Sequence, residues 1–553
     1  LGGVFLQKFD YIITGAGPAG CVLASRLSED AGIKVLLVEA GGRDSHPLFR
    51  MPAGFAKMTK GIASWGWSTV PQKHMNDRVL WYTQAKVIGG GSTINAQIYT
   101  RGNALDYDAW RDEEGCLGWS YREVLPYFKR AEGNERFHDD YHGSEGPLGV
   151  SMPRAALPIC DAFVRAAQQC GIPYNHDFNG RSQEGVGFYQ LTQKHVARSS
   201  AATAFLREAM TRPNLSVMTS SEVRRVIVEQ GRAVGVEVSR DGATMVMYAD
   251  REVLVTSGGI GSPRLLLMSG IGPADHLRSV GVKVEHDLKG VGENLQDHLD
   301  LSVISECSGD YSYDRVHRID RTIVAGIQYL LFKSGPVASS LFETGGFCYA
   351  DRAARSPDIQ FHFGQGSGIE KGIAKLENSG VTLNSAFMRP RSRGTVRLAS
   401  SDYRASPLID PNYWADPYDR EMSLRGLEMA REVMRAPALR SYLLREVLPG
   451  ASVTGERELF DFACRVAKTD HHPVGACKMG TDPMAVVSPE LKVHGVEGLR
   501  VCDSSVMPII NSSNTNAPTI MIGEKASDLI RGLPSLPPAV FEHERNERAR
   551  MSR

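Results

Sequence analysis

The segment Phe9-Asp10-Tyr11-Ile12-Ile13-Thr14 is a short apolar run of the kind that forms a buried strand. A glycine-rich turn, Gly15 to Gly20, follows at once, and Cys21 to Leu27 then carries apolar residues at helical spacing. Lys34–Val38 is a second apolar run that ends in Glu39. Strand, turn, helix and strand in this order predict a βαβ unit with parallel strands. A second strand–turn–helix is predicted over Glu252–Ser257, Gly258-Gly259 and Ser262–Met268. From about Leu301 to Val453 the pattern changes. Val381–Met388 and Gly394–Leu398 read as strands between Arg/Ser/Pro turns, and Glu421–Arg435 reads as an amphipathic helix. Polar, glycine-containing loops return between His471 and Met521. From Pro534 the chain is Pro-rich and then charged, which predicts a surface tail over 534–553.

Composition narrows the class. The 553 residues are 42% hydrophobic and 23% charged, enough to bury a large core without staples. Lys plus Arg and Asp plus Glu balance at 63 each, which argues against bulk electrostatic binding to nucleic acid or anionic membrane. The nine cysteines are scattered singly from Cys21 to Cys502 with no CxxC pair, so they read as free thiols of a reducing compartment. No His/Cys spacing suggests a metal site, and none is expected. The longest charge-free apolar run, Thr322–Phe332, is too short to span a bilayer. Leu1 to Lys8 lacks a signal-peptide pattern. A cytoplasmic location is expected, with peripheral membrane association, or the periplasm through an unseen leader, left open.

The first glycine turn carries the chemistry most plainly. Gly15, Gly17 and Gly20 form GxGxxG between a strand and a helix, and Glu39 ends the next strand, 19 residues past Gly20. That context is a dinucleotide-binding fingerprint. Gly15 permits the tight turn, Gly17 lets backbone N–H groups approach a pyrophosphate, and Gly20 lets the helix pack closely. The helix N-terminus favours the phosphate charge. The Glu39 carboxylate suits ribose hydroxyls and repels a 2′-phosphate. NAD and FAD both use such a site. A second glycine turn, Val87-Ile88-Gly89-Gly90-Gly91-Ser92-Thr93-Ile94-Asn95, suits the longer, tricyclic cofactor.

With these motifs the chain resembles the glucose-methanol-choline (GMC) oxidoreductase family. Further segments carry the likeness in family order: Ser262–Gly272, Gly290-Val291-Gly292-Glu293-Asn294-Leu295-Gln296-Asp297-His298, His472-Pro473 through Gly480, Cys502–Pro508 and Asn514–Glu524. Within the family, Pro52–Met58, Pro71–His74, Gly335–Ser339 and Arg393–Leu398 are most similar to bacterial sorbose and polyethylene-glycol dehydrogenases. The resemblance implies an α/β fold. Its Rossmann-like FAD-binding domain would be assembled from residues 8–155, 196–300 and 461–533. A sheet-and-helix α+β substrate domain would come from 156–195 and 301–460.

It also implies FAD held without a covalent bond, because Ile94 stands where covalently flavinylated relatives carry His. The cofactor contacts it implies are Gly15, Gly17, Pro18, Ala19, Gly20, Glu39, Ala40, Val87, Gly90, Gly91, Ser92, Asn95, Ala96, Val223, Asp503, Ser504, Asn516, Pro518 and Thr519. Gly91 replaces a usual Ser or Thr, and Gly259 stands where Ala is common; both exchanges are expected to matter little.

The catalytic base implied by the resemblance is His472, the histidine directly before Pro. Imidazole suits the task because its pKa lies near working pH. The implied partner is Asn516, eight residues before Glu524. His471 and His362 are read as structural, Asn514 as shaping its loop, and Glu343 is discounted as a cation site. The expected reaction is oxidation of a polyol, ketose or polyether-type alcohol. The expected electron acceptor is a quinone, cytochrome or dye-like compound, with oxygen open. A flavoprotein lyase, a silent flavoprotein and an NAD dehydrogenase are the competing readings.

Overall fold

The computed structural model describes residues 8–317, 319–367 and 376–542. The segment 1–7, on which the leader question turns, and residues 543–553 of the expected tail lie outside them. Two sheets organise the chain. The first has strand order Leu215–Met218, Val35–Val38, Lys8–Thr14, Ala243–Val255, Arg232–Arg240 and Glu222–Glu229, with Leu499–Val501 also pairing with Ala243–Val255. Its strands Lys8–Thr14, Val35–Val38 and Leu215–Met218 are parallel, as the βαβ pattern predicts. Val35–Val38 is a wholly buried apolar run because both its faces are covered, whereas the edge strand Leu215–Met218 leaves Ser216 exposed. The helices Pro18–Leu27 and Asn516–Arg531 pack on each other over this sheet.

The second sheet runs Leu443–Leu448, Leu299–Cys307, Gly380–Phe387, Ile359–Gly364, Thr344–Cys348 and Gly185–Phe188, with Lys468–Thr469 pairing to Leu299–Cys307. Helix Pro417–Arg435 covers it through Met422, Leu427, Ala430 and Val433, a face spaced at helical period. Each sheet thus has its own apolar core.

Two expected boundaries move. Helix Glu456–Val466 buries Leu459, Phe462 and Ala463 in the second core, and Lys468–Thr469 extends the second sheet. The last cofactor-side segment therefore begins beyond residue 469 rather than at 461. The expected surface tail is held at its end. Phe541 is buried and stacks on Tyr141 at 5.1 Å, and the Ala539 N–H donates to the Arg122 carbonyl, so 534–542 is strapped to the first core. All nine cysteines are free thiols, and all but Cys170 are buried.

Candidate active site

A long cavity runs between the two sheets. At one end it is lined by Gly15, Gly17, Pro18, Ala19, Glu39, Ala40 and Val223, and at the other by His362, Asn384, His471 and His472. The glycines of the first turn are where side chains have no room. Gly15 has φ +107, and a Cβ on Gly20 would lie 2.0 Å from the Gly15 carbonyl oxygen. Gly20 thus packs the helix onto the turn and is absent from the cavity wall. Gly90, at φ +53, would drive a Cβ to 2.7 Å from the Gly17 Cα, so the two glycine turns touch. The Glu39 oxygens accept the N–H groups of Ala16 at 2.8 Å and Gly41 at 2.7 Å. Burial pushes its carboxyl up to about 7, while those two amides pull the other way.

Gly91, Asn95, Ala96, Ser504, Asn516 and Thr519 line the cavity as expected. Val87, Ser92 and Pro518 do not. Val87 belongs to a buried apolar cluster, and the Ser92 hydroxyl donates to the Gly89 carbonyl at 2.6 Å and accepts the Ala201 N–H at 2.9 Å. Both therefore shape the turn from behind. The buried Arg198 guanidinium donates to the Asn95 carbonyl and side chain, each at 2.7 Å, and fixes that residue. Asp503 also braces the scaffold: its Oδ2 accepts the Gly258 N–H at 2.7 Å, at the start of helix Gly258–Met268. Gly259 is not exchangeable here, because a Cβ would fall 2.1 Å from the Pro473 carbonyl oxygen. Gly91 has nothing within 4 Å of its missing Cβ.

The far end is built by a strand pairing. Leu299 pairs with Thr469 and Asp300 with Lys468, which sets His298, just before one strand, beside His472, just after the other. His298 Nδ1 lies 3.1 Å from His472 Nδ1, and His298 Nε2 lies 3.2 Å from the Met388 carbonyl. A carbonyl only accepts, so His298 carries its proton on Nε2 and offers a lone pair at Nδ1. His472 then donates from Nδ1, which leaves its Nε2 lone pair directed at the cavity.

Asn514 Nδ2 is 3.2 Å from that Nε2. The Asn514 Oδ1 accepts from Thr100 Oγ1 and Gln360 Nε2, both at 3.1 Å, which fixes the amide with its N–H groups towards His472. Asn514, read above as shaping its loop, thus makes the contact to His472, while Asn516 opens helix Asn516–Arg531 and lines the cavity.

Asp297, quoted above only as part of a motif, is the hub. It accepts the backbone N–H of His472 at 2.8 Å and of His298 at 2.9 Å, with hydroxyls of Tyr82, Tyr413 and Thr469 on its other oxygen. Burial lowers the His472 imidazole to about 4, against the pull of Asp297, so the ring is a neutral acceptor at neutral pH. Burial likewise lowers His362 to about 4.

His362 lines the cavity, as does His471, whose backbone is left-handed at φ 61. Glu343 is fully buried, accepts from Gln365 at 2.9 Å, and is absent from the cavity wall. Asp300, His362 and Asp470 bring ligand-type atoms within 4.8 Å of one another, a cluster that no spacing along the chain reveals. The Lys468 ammonium already stands 3.2 Å from Asp300 Oδ2.

Residues 9–300 and 390–523 match the family described as GMC oxidoreductase. The chain belongs to the GMC oxidoreductase family. It is 40% identical over 527 residues to an alcohol dehydrogenase [acceptor] of Pseudomonas putida, covering 94% of this chain and 95% of that one. It is 43% identical over 538 residues to an oxygen-dependent choline dehydrogenase of Pseudomonas aeruginosa, covering 96% of each. Among solved structures, pyridoxine 4-oxidase from Mesorbium loti superposes with a TM-score of 0.87 at 31% identity, over 95% of this chain and 100% of that one. The two Pseudomonas relatives bear alcohol and choline dehydrogenase names, not the sorbose or polyethylene-glycol names expected from the sequence. The chain is an FAD-dependent oxidoreductase of alcohol-type substrates with the GMC fold. The cavity fits the group: close-packed glycine turns suit a diphosphate, and Glu39 stands at the ribose end of the fingerprint. Among the described residues no helix is long and apolar enough to cross a membrane.

Proposed function

We propose that this enzyme oxidises a neutral primary or secondary alcohol, with His472 as the base and Asn514 as its partner. The observation that carries the reading is the ordered chain from Met388 through His298 and His472 to Asn514, which presents one imidazole lone pair to the cavity. When the alcohol binds, the Asn514 N–H that donates to His472 Nε2 turns to the substrate oxygen and stabilises the charge that builds there, and the freed Nε2 lone pair takes the hydroxyl proton. Bound FAD supplies the hydride acceptor. His298 never meets the substrate in this account; it positions His472 by holding its Nδ1–H. Ile94, an aliphatic residue on the short helix Gly91–Ile94, supports non-covalent FAD.

A neutral substrate is favoured because Asp300, a buried carboxylate beside the cavity-lining His362, is already ion-paired with Lys468. Choline is the second reading, favoured by the 43% identity to a choline dehydrogenase. An acceptor other than oxygen is supported by the likeness to the alcohol dehydrogenase [acceptor] of Pseudomonas putida. The test is anaerobic bleaching of the bound flavin by a neutral alcohol such as 1-butanol or sorbitol, set against choline. Bleaching by the neutral alcohols supports the proposal. Bleaching by choline alone rejects the neutral-substrate reading. Rapid stoichiometric peroxide in air would make the enzyme an oxidase.

A further inference from the structure

Arg198 is a buried charge without a counter-charge. It is 3% exposed, and its guanidinium meets only neutral groups. Nη1 donates to the carbonyls of Ser92 at 3.2 Å and Asn95 at 2.7 Å, and to the Asn95 side chain at 2.7 Å. Nε and Nη2 have no hydrogen-bond partner among the described residues. Burial pushes the group down to about 9 with no carboxylate offsetting it, which still leaves it charged at neutral pH. Arginine is almost never buried unpaired, because its lost hydration then goes uncompensated. On the cavity wall, by contrast, Lys468 faces Asp300 at 3.2 Å and Arg264 faces Glu222 at 3.3 Å, while burial keeps His362 and His472 neutral.

The surroundings of Arg198 show where that charge acts. Gly90 meets Gly17 at the turn that suits the diphosphate, and Thr100 bonds Asn514 beside His472. Between them Gly91, Ile94, Asn95, Ala96, Gln97 and Ile98 line the cavity. This stretch runs from the diphosphate end to the reacting end, along the ring system that must lie between. Arg198 stands one side chain behind it, held on Asn95.

We infer that Arg198 is an electrostatic residue of the redox step, its unmatched positive charge favouring the negative charge that the FAD ring gains on reduction. The alcohol C–H bond breaks with its electron pair, the hydride joins the neutral ring, and the hydroxyl proton goes to His472. The ring therefore ends with one negative charge, which a fixed cation in a poorly hydrated wall stabilises. Arg198 is absent from the cavity wall, so it acts through its field across Asn95. The role assigned to Arg198 rests on the proposed seating of the reacting ring beside His472.

Sulfite adds to a flavin ring and leaves a negative charge on it, with no alcohol and no base involved. Titrating the FAD-loaded parent with sulfite should bleach it at lower concentration than free FAD requires. A parent that binds sulfite no better than free FAD overturns the inference, and does so whether or not an Arg198 variant folds. Bleaching by alcohol in such a protein would leave the proposed function standing. Arg198→Gln keeps a donor for the Asn95 carbonyl and drops the charge. It should hold sulfite at least about tenfold more weakly, the usual effect of one nearby opposite charge on an ionisation, and its bound flavin should show a lower midpoint potential in dye equilibration. Arg198→Lys restores the charge and should recover both. Parental affinity and potential in Arg198→Gln would overturn the inference. So would an Arg198→Lys protein as impaired as Arg198→Gln, because the shape of the guanidinium and not its charge would then be what matters.

Discussion

The imidazole of His472 decides the chemistry of this cavity. Replacing it with Ala should slow flavin reduction by about 10²–10⁴-fold, the usual worth of a positioned general base, and leave flavin content unchanged. Part of the loss should return at high pH, where solvent base substitutes. Asn514→Ala should cost less, because it removes an orienting donor and leaves the base, while Asn516→Ala should cost least of the three. A larger loss in Asn516→Ala than in Asn514→Ala, measured by anaerobic stopped-flow, would restore Asn516 as the partner. The depressed His472 value also sets a pH limit. With the folded value at about 4, the ring stays unprotonated through the neutral range, so the reduction rate should be flat there. It should fall as pH drops through about 4, where the lone pair is lost; a fall centred near the ordinary histidine value of 6.5 would contradict the burial argument. The histidine itself was legible because it directly precedes Pro473 in a recognisable motif. Its partner was not: Asn514 and Asn516 share one loop, and only the fold says which amide reaches Nε2.

At the level of elements, the two glycine turns and the pairing of Leu299–Cys307 with Lys468–Thr469 do most of the positioning. Gly90→Ala should sharply reduce FAD retention, because its Cβ would press on Gly17 from a left-handed backbone, whereas Gly91→Ala should retain FAD like the parent. Flavin absorbance after desalting compares them, and equal retention would mean that the two turns are not in contact. Glu39→Ala should weaken FAD by roughly 1.5–3 kcal/mol, the worth of a charge-assisted acceptor, read as a dissociation constant by titration. Unchanged affinity would place the ribose elsewhere. The βαβ unit was legible because buried parallel strands are short apolar runs and its turn needs glycine at fixed offsets. The Asp297–His298 hub was harder to see. Its partners Tyr82, Met388, Tyr413 and Thr469 come from segments far apart in the chain, and no local pattern links them.

Over the whole molecule, two cores meet along one cavity, so FAD bound there binds the folded state only. The stabilisation rises as RT ln(1 + [L]/Kd), about 2.7 kcal/mol at a hundredfold excess over Kd. FAD-free protein should therefore unfold at a lower temperature than the loaded form, and readdition should restore it; an unchanged midpoint in calorimetry would mean that the cofactor does not bridge the cores. The interleaving of segments was legible from the return of glycine-containing loops after residue 470. The boundary at 461 was not, because helix Glu456–Val466 shows its allegiance only through the side chains it packs against. The most direct test of the central claim is an anaerobic absorbance spectrum of the yellow protein mixed with 1-butanol, run beside His472→Ala. The parent flavin should bleach, and the same bleaching should be slowed by at least about a hundredfold in the variant. A parent that bleaches no faster than His472→Ala would contradict it.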